Sequence, residues 1–598
     1  MAAVPIIPIC KDLGILRLLF LIPLVTGLAA CTTVPQRESV VGDYLGARLA
    51  ATTRDIDSAA LAFAKANAKA PGSIEIRRNA FLFQLASGNV ESAFGLAERL
   101  ARDENADIGG FAKATLAARA LKANRYGEAE RLIKEAALRG FPAAPANLIE
   151  TWAVAGRDGE AASLDKLRSI PGEEFRGFYP LHAALLSENL GLIDDARSAY
   201  ELSLRAFSGS AEIEAYGEFL ERVGDDEATL GYYKTLASQP GFARFAGLEG
   251  LRRLESGKKP ARYVRVTSAK GGALALYSLS SGVLEDTVQR RRAAQDAGFR
   301  VGDADYNISL AMAELALYLA PDFDDARRLT GSILNSYGEY ETAITALSKI
   351  NLSSAYYQQA QIEIASAYEA MGNTDKAIAT LQKLIRRWPD SQEAQLTLAG
   401  LYSVKDRHAD TVKVMDRVIA GLPAEPDSIV WRFYITRAAS LLELDQWPKA
   451  EADLKRAAEI APREATVLNY LGYSWAERGE NLDEAFALIE KAVALQPSSG
   501  AIIDSLGWAH YQLGNFEEAV GHLEQAASLQ PADPTISDHL GDVYWQLGRR
   551  IEARYQWRHV LGLDDVDDEL SKAVNEKLVS GVAPLEKSGP GDKANEQQ

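Results

Sequence analysis

The chain is poor in the side chains that carry most enzyme chemistry. Its 598 residues include 2 Cys, 6 His and 4 Met. Two cysteines cannot build a Cys-rich zinc site, an iron–sulfur cluster or a disulfide scaffold. Positive charge is in deficit as well. Lys and Arg number 65 against 82 Asp and Glu, a net charge of −17. That balance repels a phosphate backbone and argues against nucleic acid as a partner. Beyond the first thirty residues no apolar run is long enough to cross a bilayer. Apolar residues as such are not scarce. At 47% hydrophobic, 25% charged and a mean hydropathy of −0.14, the composition is that of a folding chain, not of extended disorder. Length alone suggests about four globular units.

The amino terminus reads as an export signal over residues 1–30. Lys11 and Arg17 supply a positive start, Leu18 to Val25 a short apolar core, and Leu28-Ala29-Ala30-Cys31 closes it. The core is too short for a transmembrane helix. The small residues before Cys31 fit a signal-peptidase groove, and the pattern is that of a bacterial lipobox, in which the cysteine sulfur becomes a diacylglycerol thioether. The other reading is a plain signal peptide cleaved near Ala30, with Cys31 unmodified. Thr32, in place of Asp, favours the outer membrane, and residues 31–41 then form a lipidated linker. The apolar prelude of residues 1–10 leaves the true start codon open.

Internal repeats overturn the domain arithmetic. Leu506-Gly507 recurs as Leu540-Gly541, Leu513-Gly514 as Leu547-Gly548, Ala519 as Ala553 and Pro497 as Pro531, all 34 residues apart. Following the Ala519 place backwards gives Ala485, Ala450, Thr411, Ala377, Ala343 and Ser309, then Ala228, Ala196, Ala161, Ala129, Ala93 and Ala59. Small residues at Gly507 and Ala519 let two helices approach, Leu506, Leu523 and Ala526 fill the space between them, and Pro531 ends the second helix. This order resembles the tetratricopeptide repeat, two antiparallel helices per unit. It predicts an all-α, right-handed α-solenoid of about fourteen helix hairpins, each burying the apolar face of its neighbour. Residues 42–240 form one run of repeats, 241–321 an irregular basic region, and 322–562 a second and more regular run. A helix remnant and a disordered tail fill 563–598.

If the first helix of each hairpin faces inward, the last three units place Asn469 and Tyr473, then Asp504, Trp508 and Tyr511, then Asp538, Asp542 and Trp545 in the groove. Aromatic rings with polar neighbours suit extended or helical peptide segments, since they give contact area at low entropic cost. The competing reading packs Trp508 and Trp545 between helices as core. Members of this repeat class that clamp a C-terminal carboxylate use Lys, Arg and Asn at such places. Asp504 and Asp538 here argue against that clamp. Residues 241–300 carry twelve basic side chains against five acidic ones, including Arg252, Arg253, Lys258, Lys259, Arg290, Arg291 and Arg292. Such a patch suits an acidic partner, a second copy of the chain or an anionic cell-wall polymer; the plainer reading is a solvated helix face.

Catalytic motifs are few and incomplete. Ser163-Leu164-Asp165-Lys166 spells the S-x-x-K of penicillin-binding enzymes, without the S-D-N and K-T-G elements that chemistry needs. Gly257-Lys258-Lys259-Pro260 lacks the upstream glycine and the Ser/Thr of a phosphate loop. His510, His522, His539 and His559 form no H-E-x-x-H pair. Acidic doublets such as Asp194-Asp195 and Glu517-Glu518 suit first helical turns, where they meet the helix dipole. The expectation is a non-enzyme without cofactor or metal.

Three segments carry a closer likeness: Asn469-Tyr470-Leu471-Gly472-Tyr473-Ser474-Trp475, Asp504-Ser505-Leu506-Gly507-Trp508-Ala509 and Asp538-His539-Leu540-Gly541-Asp542-Val543-Tyr544-Trp545. They resemble the long tetratricopeptide lipoproteins of the Gram-negative outer membrane that act as adaptors for periplasmic carboxy-terminal processing proteases. The resemblance implies a protein anchored through Cys31, facing the periplasm, that joins a protease to substrates such as peptidoglycan hydrolases. An alternative is an assembly factor for export or biogenesis of polysaccharide, pili or outer-membrane proteins.

Overall fold

The computed structural model describes residues 40–103, 108–138, 143–170, 176–206, 209–239, 241–257, 265–296, 304–422, 430–563 and 566–584. The signal segment and Cys31 lie outside the described residues. Among the described residues there are thirty α-helices and no strand. They pair as fourteen antiparallel hairpins, with two single helices, Phe242–Glu255 and Asp568–Ser580. The all-α architecture of stacked hairpins expected from the 34-residue period is what the chain adopts. Contacts divide it into two units that meet between Trp388 and Pro389.

The period has a steric cause. Placed on Gly507, a Cβ would come within 2.7 Å of Leu523, and on Gly541 within 2.4 Å of Trp557, each in the second helix of the same hairpin. Ala519, Ala553, Ala450, Ala377, Ala196 and Ala93 are fully buried. Only small side chains allow the two axes to approach this closely. Two expected members of the series sit elsewhere. Ala161 is exposed and Ala228 only half-buried, while Ser163 and Thr229 occupy the buried place. Each stands four residues after the residue preceding its helix, Gly159 and Asp225, as Ala519 stands four after Asn515. Choosing the nearest alanine had shifted the register. A hydroxyl is tolerated there because it bonds back to main chain. Ser163 donates to the Thr151 carbonyl at 2.8 Å and Thr411 to that of Ala399 at 3.0 Å, both twelve residues earlier on the facing helix.

In the unit ending at Trp388, six hairpins run from Val40 to Ala237. Their inner helices do not face an open groove. The segment after the single helix, starting at Val266, packs along them. Ser210 meets Tyr277 at 3.0 Å, and Asn189 brackets both main-chain groups of Val266. Gly271 packs so closely on Trp152 that a Cβ would lie 2.0 Å from the ring, and Gly272 does the same to Leu121. Tyr318 lies edge-on to Phe94, and Glu339 accepts from the Ile56 amide. One continuous apolar core, from Ala47 to Ala343, results. The helices Ser268–Asp296 and Ala304–Leu319 thus fill the inside of the preceding repeats.

This changes the reading of the basic region. Arg252 pairs with Glu249 and Arg253 with Glu221 and the Tyr233 hydroxyl. Lys258 and Lys259, and the side chains of Arg291 and Arg292, lie outside the described residues; Arg290 is exposed on the long helix. Arg252 and Arg253 are tied into their own hairpin stack and do not join a common cationic face. Ser163 likewise sits fully buried in its carbonyl bond, with Lys166 3.0 Å from Glu150. That is the geometry of a packing residue, not of an S-x-x-K nucleophile.

Candidate protein-binding surface

The unit from Pro389 onward holds five hairpins, Gln392 to Val560, and the closing helix Asp568–Ser580. Their first helices put homologous residues in columns. Asn469, Asp504 and Asp538 share one place at intervals of 35 and 34; Tyr473, Trp508 and Asp542 share another, one helical turn later.

The second and third members of the first column are spent on neighbouring helices. Asp504 accepts from His539 Nδ1 at 3.0 Å with both side chains buried. Asp538 accepts from Lys577 Nζ at 2.7 Å, and Asp542 accepts from the same ammonium at 2.8 Å and from Trp557 Nε1 at 3.1 Å. The closing helix therefore supplies, through Lys577, the cation that the next repeat supplies elsewhere through His539. Burial pushes the Asp542 carboxyl up to about 6, with Asp538 beside it adding to the effect and the Lys577 ammonium opposing it. Burial pulls His539 down, but the Asp504 carboxylate outweighs it and holds the imidazole above its ordinary range. Lys577 is held up in the same way, its burial outweighed by Asp542 and Asp538.

The aromatic residues are equally engaged. Trp508 stacks on His539 at 3.9 Å and on Tyr511 at 4.6 Å between ring centroids. Trp545 carries the Arg550 guanidinium 3.8 Å from its centroid, and its ring sits where a Cβ of Gly581 would be. Gly581 has φ +74°, a conformation only glycine adopts freely. Gln546 donates to the Ala583 carbonyl at 2.7 Å. The segment 568–583, expected as a remnant and a disordered tail, thus covers the first helix of the last hairpin.

Of the eight expected groove residues, Asp504, Tyr511, Asp538 and Asp542 are buried. They do not line an open wall: the first helix of the next repeat covers Asp504 through His539, and the closing helix covers Asp538 and Asp542 through Lys577. Trp508 and Trp545 are half-buried against rings and guanidinium groups of their own unit, close to the core reading. Asn469 and Tyr473 remain, half-buried on the helix Ala465–Arg478. Asn469 Oδ1 is buried with no hydrogen-bond partner among the described residues. The reason is a change of one residue. Ser505 takes the place that His539 holds one repeat later, and its hydroxyl donates to the Ala501 carbonyl instead. Tyr434, 35 residues before Asn469 and half-buried on Trp431–Glu443, extends the column upstream. Sequence reading passed over it, although the 35-residue step was there to be counted.

Three stretches match the tetratricopeptide family by sequence: residues 359–391 and 435–500 as tetratricopeptide repeats, and 507–548 as TPR repeat. The chain carries tetratricopeptide repeats. A TPR repeat-containing protein of Pseudomonas aeruginosa is 31% identical over 147 residues, 24% of this chain and 24% of that protein. The matched stretch thus spans about a quarter of the relative's length. Among solved structures, the Cut9–Hcn1 hetero-tetramer of APC/C aligns with 90% of this chain and 96% of its own at 14% identity and a TM-score of 0.36. MamA covers 30% of this chain at 21% identity and a TM-score of 0.25, and 94% of MamA is matched. YrrB, described as a TPR protein with an unusual peptide-binding site, covers 32% at 18% identity and a TM-score of 0.24, with 92% of YrrB matched.

Proposed function

We propose that this tetratricopeptide protein is an outer-membrane adaptor. Anchored by lipid on Cys31 and facing the periplasm, it joins a carboxy-terminal processing protease to substrates such as peptidoglycan hydrolases. The repeats support a protein–protein interaction scaffold, and the lipobox Leu28-Ala29-Ala30-Cys31 supports the anchor. What supports a binding surface at this end of the column is that Asn469 and Tyr473 stay half-buried there, whereas Asp504, Tyr511, Asp538 and Asp542 are buried. Tyr473, four residues after Asn469 on the same helix, and Tyr434, 35 residues before it, are half-buried rings with polar ends. The inner helices before Leu319 offer no comparable surface, since the chain itself occupies them. A scaffold of this kind acts by raising the concentration of each partner for the other.

The test is co-purification from detergent-solubilised membranes. Recovery of a protease with cell-wall hydrolases, lost on Asn469→Ala with Tyr473→Ala, is the expected result. Secretin, pilin or polymerase components in their place would contradict it. Metabolic labelling with palmitate, abolished by Cys31→Ser, tests the anchor separately.

A further inference from the structure

The unit ending at Trp388 contains a half-enclosed cavity of about 400 Å³. It opens between the inner helices Ile74–Ala86, Gly109–Lys122 and Ala143–Asp158 and the hairpin Ser268–Asp296/Ala304–Leu319 that fills them. Leu82, Phe111, Ile149, Leu276, Leu279 and Met312 supply most of its wall. Among its lining residues only Arg78 is charged or carries a polar side chain. Arg78 is exposed and makes no ion pair among the described residues. In a chain with seventeen more acidic than basic side chains, a cation at the edge of an apolar cavity with no ion pair among the described residues is a pointed arrangement.

We propose that this cavity binds a single-chain amphiphile with an anionic head, a long-chain carboxylate being the simplest, with its tail among the leucines and its head at Arg78. The volume lies within the range of small-molecule sites, about 300–1,000 Å³. The lining decides the class. A peptide entering it would bring main-chain N–H and C=O groups that no wall residue can pair, and unpaired groups of that kind are costly. Water has the same difficulty, since an ordered molecule wants two to four polar partners. An acyl chain brings no polar atom except at its end, and that end meets the one guanidinium, whose planar fork suits a carboxylate or a phosphate. The cavity exists because the chain folds its own hairpin onto the earlier repeats, so the inference is independent of the adaptor reading.

The experiment uses a soluble chain beginning at residue 32, which omits the cysteine of the lipobox, purified without detergent, and compares dodecanoate with 1-dodecanol by displacement of a fluorescent fatty acid. Dodecanoate is expected to bind at micromolar concentration. Arg78→Glu is expected to weaken it tenfold or more while leaving dodecanol unchanged, and Met312→Trp to weaken both by filling the cavity. Because Arg78 is exposed, its variant keeps the fold, which circular dichroism checks. Failure of both ligands to displace the probe overturns the proposal, as does equal loss of both on Arg78→Glu. Dodecyl phosphate binding better than dodecanoate would keep the site and reassign the head to a phosphorylated lipid.

Discussion

Replacing Lys577 with Met keeps the length of the side chain and removes the charge that two buried carboxylates share. Lys577 Nζ lies 2.7 Å from Asp538 and 2.8 Å from Asp542, whose exposures are 7% and 4%. Deleting one partner of a buried ion pair costs about 3–5 kcal/mol, because a charge is left without compensation. Here the loss has an escape. Asp542 already titrates at about 6, and without the ammonium its carboxyl rises further, so it takes up a proton and donates to Asp538. At pH 8 that proton is expensive, at about 1.4 kcal/mol per pH unit, and a loss near 3 kcal/mol is expected. At pH 5 the proton is already bound, and the loss falls to about 1 kcal/mol. Urea unfolding followed by tryptophan fluorescence reads the right part of the chain, since Trp431, Trp447, Trp475, Trp508, Trp545 and Trp557 all lie beyond Pro389. An unchanged midpoint at pH 8, or the same loss at both pH values, would refute the reasoning.

The wild-type unit should itself respond to acid. Asp542 has a folded value above that of a free carboxyl, so the folded state binds more protons between about pH 4 and 6, and its contribution to stability grows as pH falls through that window. Asp542→Asn should flatten that part of a stability–pH profile, and an unaltered profile would count against it. His182, fully buried and accepting from Trp152 Nε1 at 2.8 Å, is pulled down to about 3 by burial. Its contribution is present above the ordinary histidine value and lost as pH falls from about 6.5 toward 3. His182→Gln should therefore lessen the acid sensitivity of the first unit, measured by the circular-dichroism melting temperature at pH 4 and pH 7. Gly271→Val would drive a side chain into the Trp152 ring and should cost at least about 1–3 kcal/mol. The expected sign is faster proteolysis of residues 265–340; equal rates would mean that this segment does not dock tightly. Asn469→Ala alone should weaken partner capture without lowering stability, since it removes an unpaired acceptor rather than a bond.

The hairpin architecture was legible because the requirement for a small residue is local. Gly507 and Ala519, or Gly541 and Ala553, face each other within one hairpin, and their spacing is printed along the chain. The register failed at Ala161 and Ala228, where a serine and a threonine met the size limit by bonding a carbonyl, which a search for alanine cannot see. The folding of Val266 to Glu339 onto the earlier repeats was invisible for a different reason. It depends on contacts such as Gly271 on Trp152 and Tyr318 on Phe94, between residues more than a hundred positions apart with no periodic signature. Asn469, Asp504 and Asp538 recur at intervals of 35 and 34 in the sequence, but nothing in that spacing marks which of them are buried. Whether Asp504 and Asp538 face solvent is decided by His539 and Lys577, 35 and 39 residues further on, and no spacing in the sequence marks these as their counterions.

The most direct measurement places a photo-crosslinking benzoylphenylalanine at position 473 in one variant and at position 318 in another, each expressed in living cells. Adducts to another protein from position 473, and none from position 318, are predicted, because the proposed binding surface includes Tyr473, whereas Tyr318 packs on Phe94 within the chain. Intermolecular adducts from 318, with none from 473, would contradict it.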